Sequence, residues 1–207
     1  MRFKGRYKLD HEQEVVASAY KPTFEEEIIY NDFKKRRTIS INGEINEKTE
    51  FLTNHMIQQL CNDENNRQPI KIKVSSPGGS ALACFSIVDS IESAKKKGFP
   101  VITEGYSTVM SAAVPIVSSG TVGMRRSQNR SRWMTHDVGV FLIGSLSGEE
   151  ISRLNSDIQE TSKMYEEIII STSKMTSEQF REHCSKLSEF YFWGKDALEL
   201  GFVDELF

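Results

Sequence analysis

Three short stretches of this chain carry residue types suited to acyl transfer, and each is ambiguous when read alone. The first is Ser76-Pro77-Gly78-Gly79-Ser80. It follows the alternating stretch Ile70–Val74 and opens the helical pattern Ala81–Lys97. Two consecutive glycines let the backbone bend sharply and leave amide N–H groups with no Cβ over them. Bare amides beside a helix start suit an anion, or the oxyanion that develops when a carbonyl is attacked. A tight turn without a ligand is the competing reading. The second stretch runs from Gly105 to Pro115 and sets Ser111 among small residues. A serine between a strand and a helix can present its hydroxyl at a sharp turn, with the Ala112 N–H aimed at the same carbonyl. Ser107, Ser118 and Ser119 keep similar company, so Ser111 reads equally well as a helix cap. The third stretch is Trp133-Met134-Thr135-His136. A serine hydroxyl needs a base within hydrogen-bond reach, and histidine is the usual one near neutral pH. His11 lies in a polar N-terminal stretch, and His55 and His183 lie on helical patterns. His136 ends a strand, where a structural role is the commoner one.

The elements that must position these residues alternate. Thr38–Ile41 is β-branched and alternating, a strand. Glu47–Cys61 has apolar residues at helical spacing. Ile70–Val74 is a second strand, Ala81–Lys97 a helix closed by Gly98, and Val101–Tyr106 a third strand. Met110–Val117 reads as a small buried helix, with Pro115 tolerated in its first turn. Arg132–Thr135 is a short strand. Ser147–Ile170 is the longest helical pattern, with Ser147 as its cap and Glu149 and Glu150 in its first turn. Thr176–Cys184 and Lys195–Leu200 follow as shorter helices. The order β-α-β-α-β with short connections predicts an α/β fold with parallel strands. Residues 1–29 are polar and aperiodic and read as an N-terminal arm, leaving 30–207 as one domain.

Composition narrows the class. The chain has 207 residues with 26 basic and 29 acidic side chains, a net charge of −3. That balance makes no case for nucleic acid or an anionic membrane. The basic runs Lys34–Arg37, Lys95–Lys97 and Arg125–Arg132 are scattered and read as solvated surface, with a subunit contact as a second reading for the last. Cys61, Cys84 and Cys184 lack metal-type spacing and predict free thiols in a reducing, cytoplasmic setting, each a small buried residue. No stretch approaches the roughly 20 apolar residues of a membrane helix, and the N-terminus lacks the apolar core of a secretory signal.

Taken together, the three stretches resemble the ClpP family of serine peptidases. The resemblance runs from about Tyr30 to Phe207. YNDFKKRRTISINGEI resembles the entry to the family's first core strand, and IKVSSPGGSALACFSIVDSI its strand, glycine turn and helix. His136 follows Ser111 by 25 positions, the spacing associated with the family. The resemblance implies an α/β fold of the ClpP/crotonase type: stacked βαβ turns with a protruding helical handle, here about 139–170. It implies Ser111 as nucleophile, His136 as general base, and the N–H groups of Gly79 and Ala112 as the oxyanion hole. Backbone around Gly78, Ser80 and Ala81, and around Gly139, Val140 and Phe141, would pair with an extended substrate. The family's third residue is an aspartate, and Glu189 stands at its position; Asp137 or no acid at all are the alternatives. Heptameric rings, two of them stacked face to face around a chamber, and a Clp-type ATPase partner are also implied. No metal or other cofactor is. The segment Ala112-Ala113 after the serine and Asp137-Val138 after the histidine depart from the family pattern. The rival readings are an inactive ring subunit, a crotonase-type acyl-CoA enzyme, and a peptidase that processes its own N-terminal arm.

Overall fold

The computed structural model describes residues 23–63, 65–139, 147–184 and 189–207. In chain order the elements are α1 (Phe24–Arg36), β1 (Thr38–Asn42), α2 (Glu47–Cys61), β2 (Ile70–Ser76), α3 (Ala81–Lys96), β3 (Val101–Met110) and α4 (Ala113–Ser118). They continue as β4 (Arg125–Ser127), β5 (Arg132–Thr135), α5 (Gly148–Thr172), α6 (Ser177–His183), β6 (Phe190–Trp193), α7 (Gly194–Glu199) and β7 (Glu205–Leu206). The sheet path is β1-β2-β3-β4-β7, and β5 branches from β3 to carry β6. All pairings are parallel except β5 with β6. The parallel α/β expectation therefore holds, with a handle helix in the form of α5.

The strand pattern explains the layering. In β2, Ile70, Ile72 and Val74 are buried while Lys71 and Lys73 alternate with them on the other side. The buried side chains meet α3, whose Ala83, Cys84, Ile87, Val88, Ile91 and Ala94 recur at helical spacing. The opposite face is polar. There Lys71 pairs with Glu104 at 2.8 Å, and Tyr106 donates its hydroxyl proton to the same buried carboxylate.

Strand β3 is the pivot. The reading of the strand as Val101–Tyr106 ends it four residues too early, because the strand continues through an irregularity to Met110. Val74 pairs with Gly105 but Ser76 pairs with Val109, so β3 carries extra residues there. Ser107 adopts φ 39° within them. The bend lets the first half of β3 pair with β4 and the second half with β5.

Three further elements differ from expectation. Helix α1 crosses the expected boundary between residues 29 and 30, and residues 1–22 lie outside the described ones. Arg125 is not a solvated cation: it is 8% exposed, lies in β4, and pairs with Asp204 at 2.6 Å. Strand β6 lies where the sequence pattern predicts no element. Its burial comes in one register with β5, where Trp133 faces Phe192.

Helix α5 opens with a full capping box, Ser147 with Glu150. It is 25 residues long yet buries only Tyr165 and Ile169. Among the described residues no helix is long and apolar enough to cross a membrane.

Candidate active site

Parallel strands β3 and β5 end side by side, and their ends carry Ser111 and His136. Thr108, Val109 and Met110 pair with Arg132, Trp133 and Met134. The Ser111 N–H donates to the Met134 carbonyl at 2.8 Å. Trp133 is fully buried and its indole N–H donates to Ser131 at 2.9 Å, which pins β5 in place. The 25-residue separation in sequence is thus closed by one strand pairing. The Ser111 hydroxyl and His136 Nε2 lie 2.8 Å apart.

The backbone of Ser111 sits at φ 52°, in the left-handed region. Non-glycine residues reach that region at a cost of order 1–3 kcal/mol and need surrounding structure to hold them. Here the Ser111 carbonyl accepts from the Tyr165 hydroxyl at 3.1 Å and from the Val114 N–H at 2.9 Å. Ser111 is not the cap of α4. That place belongs to Ala112, which offers no side-chain bond.

The protonation of His136 follows from its neighbours. Nδ1 is hydrogen-bonded to the Asp137 carbonyl. A carbonyl has no proton to give, so Nδ1 carries the hydrogen and Nε2 offers its lone pair to the serine. This tautomer is the one a general base needs.

Glu189 is placed otherwise than expected. It is exposed, and its carboxylate accepts the Tyr191 hydroxyl at 2.8 Å. The Asp137 carboxylate accepts from the Val138 N–H at 2.8 Å. The group on His136 Nδ1 is therefore a backbone carbonyl. Register still keeps Glu189 close in one sense. The β5–β6 pairing ends at Thr135 with Phe190, one residue short of both His136 and Glu189.

The glycine turn meets the serine directly. A Cβ on Gly78 would come 2.6 Å from the Ser111 Cβ, so only glycine lets the turn approach. A Cβ on Gly79 would fall 2.2 Å from the Ile45 carbonyl oxygen. Ile45 donates to Gly78 and accepts from Ser80, each at 2.8 Å. In a parallel bridge of this kind the intervening residue turns its own N–H and C=O the other way. The Gly79 N–H thus points away from Ile45. Gly79, Ser80, Ala81, Ser111, Ala112, His136 and Gly139 all line one cavity of about 310 Å³. Val140 and Phe141 lie outside the described residues.

Tyr165 and Thr135 were not singled out by sequence. The Tyr165 hydroxyl gives its one proton to the Ser111 carbonyl, so the 3.0 Å contact with Thr135 is a bond that Thr135 donates. Burial pushes the Cys184 thiol up to about 11 and holds it protonated. All three cysteines are free and buried. Among the described residues there is no cluster of three His, Cys, Asp or Glu side chains able to hold a metal.

Comparison with known proteins gives one consistent result. The family model described as Clp protease matches residues 23–207. The chain is 26% identical over 181 residues to the ATP-dependent Clp protease proteolytic subunit 3 of Synechococcus sp. (strain CC9605), covering 86% of each protein. It is 26% identical over 180 residues to the proteolytic subunit of Lactococcus lactis subsp. cremoris (strain SK11), again over 86% of each. It is 28% identical over 180 residues to proteolytic subunit 2 of Chlamydia abortus (strain DSM 27085 / S26/3), covering 86% of this chain and 83% of the relative.

Proposed function

This chain belongs to the Clp protease family and is a serine-type endopeptidase, and on that premise we propose that it cleaves polypeptides with Ser111 as nucleophile and His136 as general base. The 2.8 Å contact between the two, at the wall of a cavity, carries the reading. Ser111 Oγ attacks the scissile carbonyl as His136 Nε2 takes its proton. The Gly79 and Ala112 N–H groups receive the oxyanion. His136 then protonates the leaving amine, and a water deprotonated by His136 releases the acyl group from Ser111. Substrate lies extended along Gly78, Ser80 and Ala81 on one side and Gly139, Val140 and Phe141 on the other, bound through main chain.

Glu189 is the orienting acid in this proposal. Glu189 and His136 each lie one residue past the end of the β5–β6 pairing, and the carboxylate swings from Tyr191 to Nδ1 when substrate is bound. The resting bond to Tyr191 favours one alternative, a ring subunit that has lost activity. A fluorophosphonate probe decides between them. Ser111 labels in the wild-type protein and not in His136→Ala; absence of wild-type labelling, beside a control hydrolase that labels, defeats the peptidase assignment.

The relatives' names describe proteolytic subunits of an ATP-dependent protease. By that analogy the chain works as an oligomer with a Clp-type ATPase that feeds it unfolded chains. Two stacked heptameric rings are the proposed assembly, supported by the apolar surface α5 leaves in water. The proposed setting is cytoplasmic, in keeping with three free thiols. No cofactor enters the mechanism.

A further inference from the structure

The cavity beside Ser111 has an uneven wall. Leu82, Val138, Leu154 and Ile158 make it apolar on most sides. Helix α5 turns one face toward it, through Leu154, Asp157, Ile158, Thr161 and Tyr165. Those positions step by three and four, the spacing of one helical stripe. Asp157 is therefore an exposed carboxylate at the rim of the stripe that faces the nucleophile, beside Leu154 and Ile158. Of the other acids of α5, Glu149 and Glu166 are matched by basic partners, and Glu160, unpaired like Asp157 among the described residues, does not line the cavity. The Asp157 side chain has no hydrogen bond or ion pair among the described residues. The Thr161 hydroxyl, one turn along, is committed to the Asp157 carbonyl at 2.7 Å and leaves the carboxylate untouched.

We propose that this cavity selects the substrate side chain next to the scissile bond, and that Asp157 makes it favour lysine or arginine. Such a side chain has an apolar stem and a cationic head. The stem lies along Leu82, Leu154 and Ile158, and the head meets Asp157. A carboxylate-ended side chain meets repulsion at the same point, and an aliphatic one gains nothing from Asp157. The inference rests on Ser111 being the nucleophile and deepens that reading by naming its substrates.

The test uses the full-length protein and peptidyl phosphonate esters that differ only in the side chain beside phosphorus: lysine, leucine or glutamate. The rate of Ser111 modification is read by mass spectrometry. The lysine probe is expected to react about tenfold faster than the leucine probe, and the glutamate probe slowest. Asp157→Asn removes the lysine advantage and leaves the leucine rate within about twofold. Asp157→Lys places glutamate first. A leucine probe as fast as lysine in wild type, or an Asp157→Asn variant that slows all three alike, overturns the inference while leaving the peptidase intact. Failure of every probe, including a simple fluorophosphonate, to modify Ser111 overturns the nucleophile assignment and the selectivity with it.

Discussion

At the scale of residues, the site depends on a few close approaches that small changes will break. Gly78→Ala places a methyl 2.6 Å from the Ser111 Cβ at a backbone φ of 101°. The variant is expected to keep its helix and strand content by circular dichroism and to lose most fluorophosphonate labelling. Tyr165→Phe removes the hydroxyl that holds the strained Ser111 carbonyl. A lost buried hydrogen bond of this kind costs about 1–2 kcal/mol. Peptide hydrolysis should show kcat down about tenfold with KM nearly unchanged, the mark of an interaction that acts on the reacting atoms and not on binding. Glu189→Gln tests the swing of the third residue. A kcat loss of a hundredfold or more, together with an undiminished Tyr191→Phe variant, supports orientation of His136 by Glu189. A loss within twofold assigns that work to the Asp137 carbonyl alone. Ser111 and His136 were legible in the sequence only as a pair at a familiar distance. Tyr165 and Thr135 were not legible, because a buried tyrosine on a helix looks like any core residue until its hydroxyl is seen to reach a carbonyl two elements away.

At the scale of elements, one ion pair closes the far end of the sheet. Asp204 accepts from the Arg125 guanidinium and from the backbone N–H groups of Gly123 and Arg125. Arg125 also bonds to the Thr172 carbonyl at the end of α5. Burial alone would raise the Asp204 carboxyl, but the hydrogen bonds and charge of Arg125 outweigh it and hold its pKa below the ordinary value. A carboxyl depressed in the folded state binds its proton more readily when unfolded. Its contribution is therefore complete above the unfolded value near 4 and is lost as pH falls through the lower folded value. Asp204→Asn should cost about 3 kcal/mol by urea unfolding at pH 7, and the gap to wild type should shrink below about pH 4. Arg125 looked like part of a basic surface run because charge density in sequence does not report burial. Strand β6 escaped notice for a related reason. Phe190-Tyr191-Phe192-Trp193 has aromatic residues at every position, so it lacks the alternation that marks a strand half in water. Strands β1, β2 and β5 and helices α2, α3, α5 and α6 were legible, because their periodicity and caps agree with their burial.

At the scale of the whole molecule, α5 is the element whose surface is unfinished. Ile151 is 54% exposed and Met164 50%, and the helix buries two residues in 25. An apolar surface of this sort in a family of proteolytic subunits predicts self-association. Ile151→Lys combined with Met164→Lys should shift the sedimentation coefficient toward smaller species at equal concentration. Wild-type protein that sediments as a monomer across the micromolar range contradicts the assembly.

The hydrogen-bond chain from Thr135 through Tyr165 to Ser111 joins three parts of the protein: the strand that carries His136, the handle helix, and the turn that carries the nucleophile. It works as an interlock. If α5 lifts from the body, the tyrosine leaves with it, the serine relaxes out of its strained turn, and the base loses its aim at the hydroxyl. A subunit in which α5 has loosened is therefore expected to be a slower peptidase, in the measure that Tyr165→Phe sets.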